Sequence, residues 1–126
     1  GDQVREGLSS TLRDSIDENA YAGRVGGEEF VVFMPYANEA LARITAEKVR
    51  IAFENIAWPN FGRTFKVTAS FGVSERLEEE CYGDMFHRAD KALYRAKTAG
   101  RNRVVVAASG RPYGKDKAAA AQTAQV

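Results

Sequence analysis

The stretch Arg24-Val25-Gly26-Gly27-Glu28-Glu29-Phe30 decides the fold of this chain, because it predicts a tight turn between two short apolar runs at 20–25 and 30–34. A Gly-Gly pair adopts the positive φ angles of a hairpin turn without a Cβ penalty. Two adjacent carboxylates follow, and like charges this close repel each other unless a cation lies nearby. The turn therefore permits two interpretations: a plain polar hairpin turn, or two acids that hold a divalent metal with a polyphosphate.

Helix and strand patterns alternate along the rest of the chain. Apolar residues at helical spacing predict three amphipathic helices, and short apolar or alternating runs predict the strands. The helices are expected over 4–16, 37–56 and 84–99, and the strands over 20–25, 30–34, 65–73 and 104–106. The second helix is expected to bury Leu41, Ile44, Val49, Ala52, Phe53 and Ile56. The run 30–34 predicts a central strand covered on both faces, and the strict alternation over 65–73 predicts a half-buried one.

Composition excludes several classes of function. The chain has 126 residues, which is enough for one domain with a single core. Its 18 Lys and Arg residues almost balance 17 Asp and Glu, which argues against nucleic-acid binding and a membrane-surface role. No apolar run approaches the roughly 20 residues of a membrane helix. The single cysteine, Cys81, suits a reducing compartment, so we expect a cytoplasmic protein.

The end of the third helix is basic. Lys97 and Arg101 bracket the point where Gly100 is expected to end the helix. Basic side chains are favoured there by the helix macrodipole alone. The same two cations are also spaced to reach one triphosphate, and both interpretations are compatible with the pattern.

Several segments together resemble the GGDEF family. Residues 26–30 resemble its signature in the GGEEF form, residues 69–73 resemble its fourth strand, and residues 88–103 resemble its second signature. The resemblance covers residues 1 to about 107. It implies an α+β fold, an α/β sandwich with a mixed, mainly antiparallel sheet flanked by helices, similar to nucleotide cyclase and polymerase palm domains and ferredoxin-like.

The same resemblance implies a diguanylate cyclase, which condenses two GTP molecules into cyclic di-GMP and pyrophosphate. Glu28 would be a ligand of Mg²⁺ or Mn²⁺ and the candidate general base, and Glu29 a second metal ligand. The backbone at Gly26 and Gly27 would let the nucleotide approach closely. Positioning and charge neutralisation would supply most of the catalysis.

Three further residues are implied to bind substrate. Lys97 and Arg101 match the phosphate-binding pair of the family. Asp2 matches a residue that binds the guanine edge, since a carboxylate can accept hydrogen bonds from N1 and N2. Its structural alternative is a helix N-cap. Arg5 departs from the pattern, because the family usually has an apolar residue there, close to the base.

Two family segments are absent from this sequence. The strand and helix that carry a metal-binding Asp do not precede Gly1, so we interpret 1–107 as a GGDEF domain that lacks its first strand and helix and expect little or no cyclase activity from this chain alone. The Arg-x-x-Asp site of product inhibition is also missing, because Asp17 and Ala20 stand at its two positions. Residues 108–126 are expected to be a disordered tail or linker.

The resemblance also implies the partners. One domain binds one GTP, so catalysis requires a second GGDEF domain, as in a homodimer. The parent protein is expected to carry an upstream sensory or receiver domain. Two alternatives stay open: a non-catalytic module that binds GTP or cyclic di-GMP as a receptor or regulatory partner, and an interaction domain with no nucleotide.

Overall fold

The computed structural model describes residues 2–26, 28–108 and 110–126. Within these residues, three helices and five strands make up the expected α+β fold, although the sequence predicted only four of the strands. In chain order the elements are α1 Asp2–Ser15, β1 Tyr21–Arg24, β2 Glu29–Pro35, α2 Glu39–Glu54, β3 Ser70–Glu75, α3 Tyr82–Thr98, β4 Val104–Val106 and β5 Ala119–Gln125, with short 3₁₀ turns at Pro59–Phe61 and Lys115–Lys117. Among the described residues, no helix has the length and apolar character needed to cross a bilayer.

The five strands form one sheet in the order β1-β2-β5-β3-β4. All neighbouring pairs are antiparallel except β3 and β4. The main core joins α1, α2 and one face of the sheet, and a smaller core joins α3 to the other face through Met85, Ala89 and Ala121. The expected mixed, mainly antiparallel sheet flanked by helices is therefore confirmed.

Helix α2 buries a different face from the one that its largest apolar residues suggested. Its N-cap is Asn38, whose side chain accepts a hydrogen bond from the Leu41 amide at 2.8 Å. The fully buried positions are Ala42, Ala46, Val49 and Phe53, whereas Leu41 and Ile44 are about half exposed. The assignment of Leu41 and Ile44 to the buried stripe is wrong, because small alanines allow the helix to pack closely on the sheet.

Strand β3 is shorter and more buried than its alternating pattern predicted. It begins at Ser70 rather than at residue 65, and its first five residues are buried. The polar face expected to meet water is covered by α3. Gly72 makes this possible, since a Cβ there would overlap the Ala89 carbonyl oxygen and the Leu93 amide of that helix. A half-buried strand was therefore the wrong expectation for this position.

The largest departure concerns the C-terminal segment. The expectation of a disordered tail or linker is wrong for Ala119–Gln125, which forms β5 at the centre of the sheet. Every residue from Ala119 to Ala124 is buried. Ala and Gln favour strands weakly, but small side chains fit between two helical layers, and the backbone of β5 pairs with a neighbour on each side. The boundary of the family domain at residue 107 stays a prediction.

Candidate functional site

The Gly-Gly turn connects β1 and β2 as predicted from the sequence. The two strands pair antiparallel up to Arg24 and Phe30, and the Val25 amide donates to the Glu29 carbonyl at 3.0 Å across the turn. Gly26 has a φ of 115°, which a side chain would disfavour. Gly27, for which a close approach of the nucleotide was expected, lies outside the described residues.

Glu28 and Glu29 stand exposed at the end of this hairpin. The Glu28 carbonyl accepts a hydrogen bond from the Val126 amide at 3.0 Å, which ties the turn to the residue after β5. Neither carboxylate has a hydrogen-bond or ion-pair partner among the described residues. Two adjacent free carboxylates at a constrained turn are available to bind a cation.

A cavity of about 360 Å³ opens between α1 and the hairpin. Its apolar lining residues come from α1, β2 and α2, and charged side chains also line it. The apolar lining includes Leu8, Leu12, Phe30 and Phe53, and the charged lining includes Arg5, Arg13, Arg24, Glu28 and Glu29. A cavity of this size, lined by both apolar and charged side chains, is large enough for a small molecule.

The basic residues of α3 reach the same edge of the sheet as the acids. Lys97 donates to the side-chain oxygen of Gln125 at 2.5 Å, and Gln125 lies directly opposite Glu29 on β2 and opposite Ser70 on β3. Because neighbouring strands are about 4.8 Å apart, Glu29 and Ser70 are separated by about 10 Å across this edge. Arg101 follows α3 in a loop whose next residue, Asn102, donates its backbone N–H to the Ser70 hydroxyl at 3.0 Å.

The loop after α3 contains strained backbone. Gly100, Arg101 and Asn102 have successive φ angles of 124°, 61° and 47°. A left-handed conformation costs a residue with a side chain about 1–2 kcal/mol, and Asn tolerates it best. Conformations of this kind persist where neighbouring groups hold them, and they are concentrated at functional sites.

The sequence did not predict what holds this loop. Arg50 and Glu54 of α2 both bond the Asn102 side chain. Arg50 also pairs with Glu47 at 3.0 Å, and this hydrogen bond raises the pKa of the Arg50 guanidinium against the opposing effect of burial. The one available sequence signal was Asn102 itself, since Asn after a helix-ending Gly favours left-handed backbone.

The carboxylates at the turn are the candidate ligands for the expected Mg²⁺ or Mn²⁺. Within the described part of the chain, no group of three or more His, Cys, Asp and Glu side chains could hold a metal ion. Mg²⁺ commonly binds one or two carboxylates and completes its shell with water and substrate phosphates. The free oxygens of Glu28 and Glu29 fit that mode, with the nucleotide supplying the remaining ligands.

The positions predicted for substrate binding converge in part. Gly26, Glu28, Glu29 and Lys97 lie at one edge of the sheet, and the Arg101 loop is bonded to Ser70 at that edge. The backbone of Asp2 begins α1, but its side chain lies outside what the structure describes. The chemical roles given to these residues stay predictions.

Comparison with known proteins matches residues 1–103 to a family described as "Diguanylate cyclase, GGDEF domain". A Vibrio cholerae protein named diguanylate cyclase VdcA is 37% identical over 108 residues, which are 83% of this chain and 32% of the relative. The chain therefore spans about a third of the length of that relative.

Solved structures agree with the family match. The active GGEEF domain of a diguanylate cyclase from Vibrio cholerae superposes with a TM-score of 0.79 at 30% identity, over 86% of this chain and 69% of that one. The GGDEF domain of DgcB from Caulobacter crescentus, in complex with c-di-GMP, superposes with a TM-score of 0.77 at 32% identity, over 86% of this chain and 65% of that one. With its acidic hairpin turn and the basic end of α3 at one sheet edge, this chain belongs to the GGDEF family of diguanylate cyclase domains.

Proposed function

We propose that the protein containing this chain is a diguanylate cyclase that condenses two GTP molecules into cyclic di-GMP and releases pyrophosphate. The observation that carries the proposal is the meeting of unpaired acids and basic groups at one edge of the sheet. Glu28 lies directly before β2 and Glu29 is its first residue, while Lys97 reaches the same edge through Gln125. Beside them lies a cavity large enough for a nucleobase.

In this proposal the guanine enters the cavity between α1 and the hairpin, where Asp2 would bind its N1 and N2 donors. The triphosphate extends along the sheet edge, where Lys97 and Arg101 bind the β- and γ-phosphates. Glu28 and Glu29 are the residues that would hold Mg²⁺ or Mn²⁺. The bound ion would neutralise charge on the triphosphate.

Two bond-forming steps close the ring, and in each the 3′-oxygen of one guanosine unit attacks the α-phosphorus of the other. Each time, the bond from that phosphorus to the bridging oxygen of the β-phosphate breaks and one pyrophosphate leaves, so two pyrophosphates are released for each cyclic di-GMP. Glu28 accepts the proton of the 3′-hydroxyl as general base. Because one domain binds one GTP, a second domain must present its nucleotide face to face, so we propose a homodimer as the active form.

The test uses the full-length protein with GTP and Mg²⁺, and chromatography measures cyclic di-GMP. General-base catalysis contributes about 10²–10⁴-fold, so Glu28→Gln should reduce turnover by at least about 100-fold. Glu18→Gln is the matched control, because Glu18 is also exposed but does not line the cavity. Undiminished turnover in Glu28→Gln would contradict the role of Glu28, and wild-type protein that neither binds GTP nor makes product would contradict the proposed function.

A second function, a non-catalytic module that binds GTP or cyclic di-GMP, is favoured by one specific observation. In the described residues, the position opposite Glu29 on β5 is the neutral Gln125 rather than a third acid. Two carboxylates alone hold a metal more weakly than three. The same assay separates the two functions, since a receptor would bind GTP or cyclic di-GMP without forming product. We expect this 126-residue chain alone to bind without appreciable turnover.

The remaining partners are proposals of the same kind. The diguanylate cyclase SiaD from Pseudomonas aeruginosa was solved in complex with its activator SiaC, which supports a protein partner for this chain as well. The upstream sensory or receiver domain stays a prediction. The absence of the inhibitory Arg-x-x-Asp pair at Asp17 and Ala20, and the cytoplasmic location, stay predictions.

A further inference from the structure

The loop over 100–103 combines an exposed cation with backbone that is held from several sides. The Arg101 amide donates to the Ala96 carbonyl at 2.9 Å, and the Arg101 carbonyl accepts from the Arg103 side chain at 3.1 Å. The side chain of Arg101 is exposed and bonds to no other described residue. An arginine whose backbone is fixed and whose guanidinium is unpaired is preorganised to bind an anion.

The Asn102 side chain connects this loop to helix α2. Its oxygen accepts from Arg50 at 3.1 Å, its nitrogen donates to Glu54, and Arg50 is in turn held by Glu47. The amide therefore uses its acceptor and a donor at once, and its backbone N–H bonds the hydroxyl of Ser70, which is 2% exposed. Since Asn102 directly follows Arg101, these bonds fix the direction in which the chain leaves Arg101.

The backbone strain of this loop and the contacts that hold it are more than is needed to end helix α3. Gly100 alone, with its φ of 124°, would satisfy the usual helix termination. Two more left-handed residues follow it, and neither is glycine. Such backbone is retained where the geometry it imposes is used.

We infer that Asn102, Arg50 and Glu54 are positioning residues that hold Arg101 in place for the triphosphate of the nucleotide. This inference rests on the proposed binding of GTP at this edge. It assigns a role in ligand binding to the outer face of α2, which lies outside the cavity and carries none of the residues that the family resemblance implied.

The central test measures the affinity of this chain for GTP with Mg²⁺ by calorimetry. Asn102→Gly removes both side-chain bonds but accepts the left-handed backbone without strain, so the variant should stay folded. We expect it to weaken GTP binding about tenfold, which corresponds to about 1.4 kcal/mol. Arg101→Ala should weaken binding by at least as much, and Arg43→Ala, on α2 but away from the loop, should leave it unchanged.

A double-mutant cycle distinguishes positioning from a general structural effect. If Asn102 acts through Arg101, adding Asn102→Gly to Arg101→Ala should cause no further loss. Additive losses, or unchanged affinity in Asn102→Gly, would overturn the inference while leaving GTP binding intact. Wild-type protein that does not bind GTP would instead overturn the proposed function and this inference together.

A conservative pair on α2 gives a second readout. Glu54→Gln keeps an oxygen that can accept from the Asn102 amide, whereas Glu54→Leu does not. We expect Glu54→Gln to bind GTP within about twofold of wild type, because the glutamine oxygen still accepts the hydrogen bond from Asn102, although without the charge of the carboxylate. Glu54→Leu should approach the loss seen in Asn102→Gly, and equal affinities in the two Glu54 variants would contradict the positioning role.

Discussion

Gln122 offers a direct test of the placement of β5 at the centre of the sheet. It is fully buried, and its side-chain nitrogen donates to the Ala42 carbonyl of α2 at 3.1 Å and approaches the Met34 sulfur at 3.5 Å. Its side-chain oxygen has no partner among the described residues. A buried amide oxygen without a hydrogen bond destabilises the folded state. Gln122→Met removes this oxygen, so it should make the protein more stable.

The magnitude follows from the two halves of the amide. A buried polar atom without a partner costs about 1–3 kcal/mol, and the hydrogen bond to Ala42 contributes about 1 kcal/mol that the substitution loses. Methionine has nearly the same length and fills the same volume with flexible apolar atoms. The expected net gain is therefore about 1 kcal/mol, which corresponds to an increase in Tm of about 4 °C for a domain of this size.

Urea denaturation followed by circular dichroism measures this gain. Gln3→Met is the matched control, because Gln3 is exposed on α1 and its substitution should change stability by less than about 0.5 kcal/mol. Ala120→Asp should lower the stability instead. Ala120 is fully buried, and an unpaired buried charge is strongly unfavourable. If Gln122→Met and Ala120→Asp both behave like the control, β5 does not occupy the sheet in solution, and the reasoning fails.

Two further predictions concern packing and pH. Gly72→Ala should destabilise the fold by about 3 kcal/mol or more, because the new Cβ would overlap the Ala89 carbonyl; a denaturation midpoint equal to that of wild type would contradict the close packing of α3 on β3. Glu80 is hydrogen-bonded by Arg88 at 2.6 Å, and this bond lowers the pKa of the Glu80 carboxyl below its ordinary value of 4.5 despite partial burial. A lowered pKa in the folded state means that the ionised form stabilises the protein above about pH 4.5 and that this contribution is lost as the pH falls through the folded-state value. Glu80→Gln should therefore reduce Tm at pH 7, and the difference from wild type should narrow below pH 4.5 in a thermal melt series; a difference independent of pH would contradict the ion pair.

The sequence predicted those parts of the site that depend on residues close to one another along the chain. The turn at Gly26 and the acids after it follow from local backbone preference, and the structure has the hairpin there. The basic end of α3 follows from helical spacing and from Gly100 as a helix terminator. Both signals lie within a few residues of the feature they predict.

The predicted buried face of α2 is wrong because its large apolar residues do not all face the sheet and its alanines do. Leu41 and Ile44 are about half exposed, while Ala42 and Ala46 are fully buried. Which side of the helix faces the sheet depends on how closely the two surfaces can approach, and alanine permits the closest approach. That distance is a property of the assembled layers and is not present in the periodicity of one segment.

The amino-acid sequence by itself determined the hairpin turn with Glu28 and Glu29, the three helices and the basic residues at the end of α3. Only the tertiary structure decided that Ala119–Gln125 is a central strand and that Asn102 is held by α2. Local patterns report a segment's own conformational preference, and the segment 119–125 has little preference of its own for a strand. Its burial and pairing come from β2 and β3, which are far away along the chain, so that information exists only once those strands have come together.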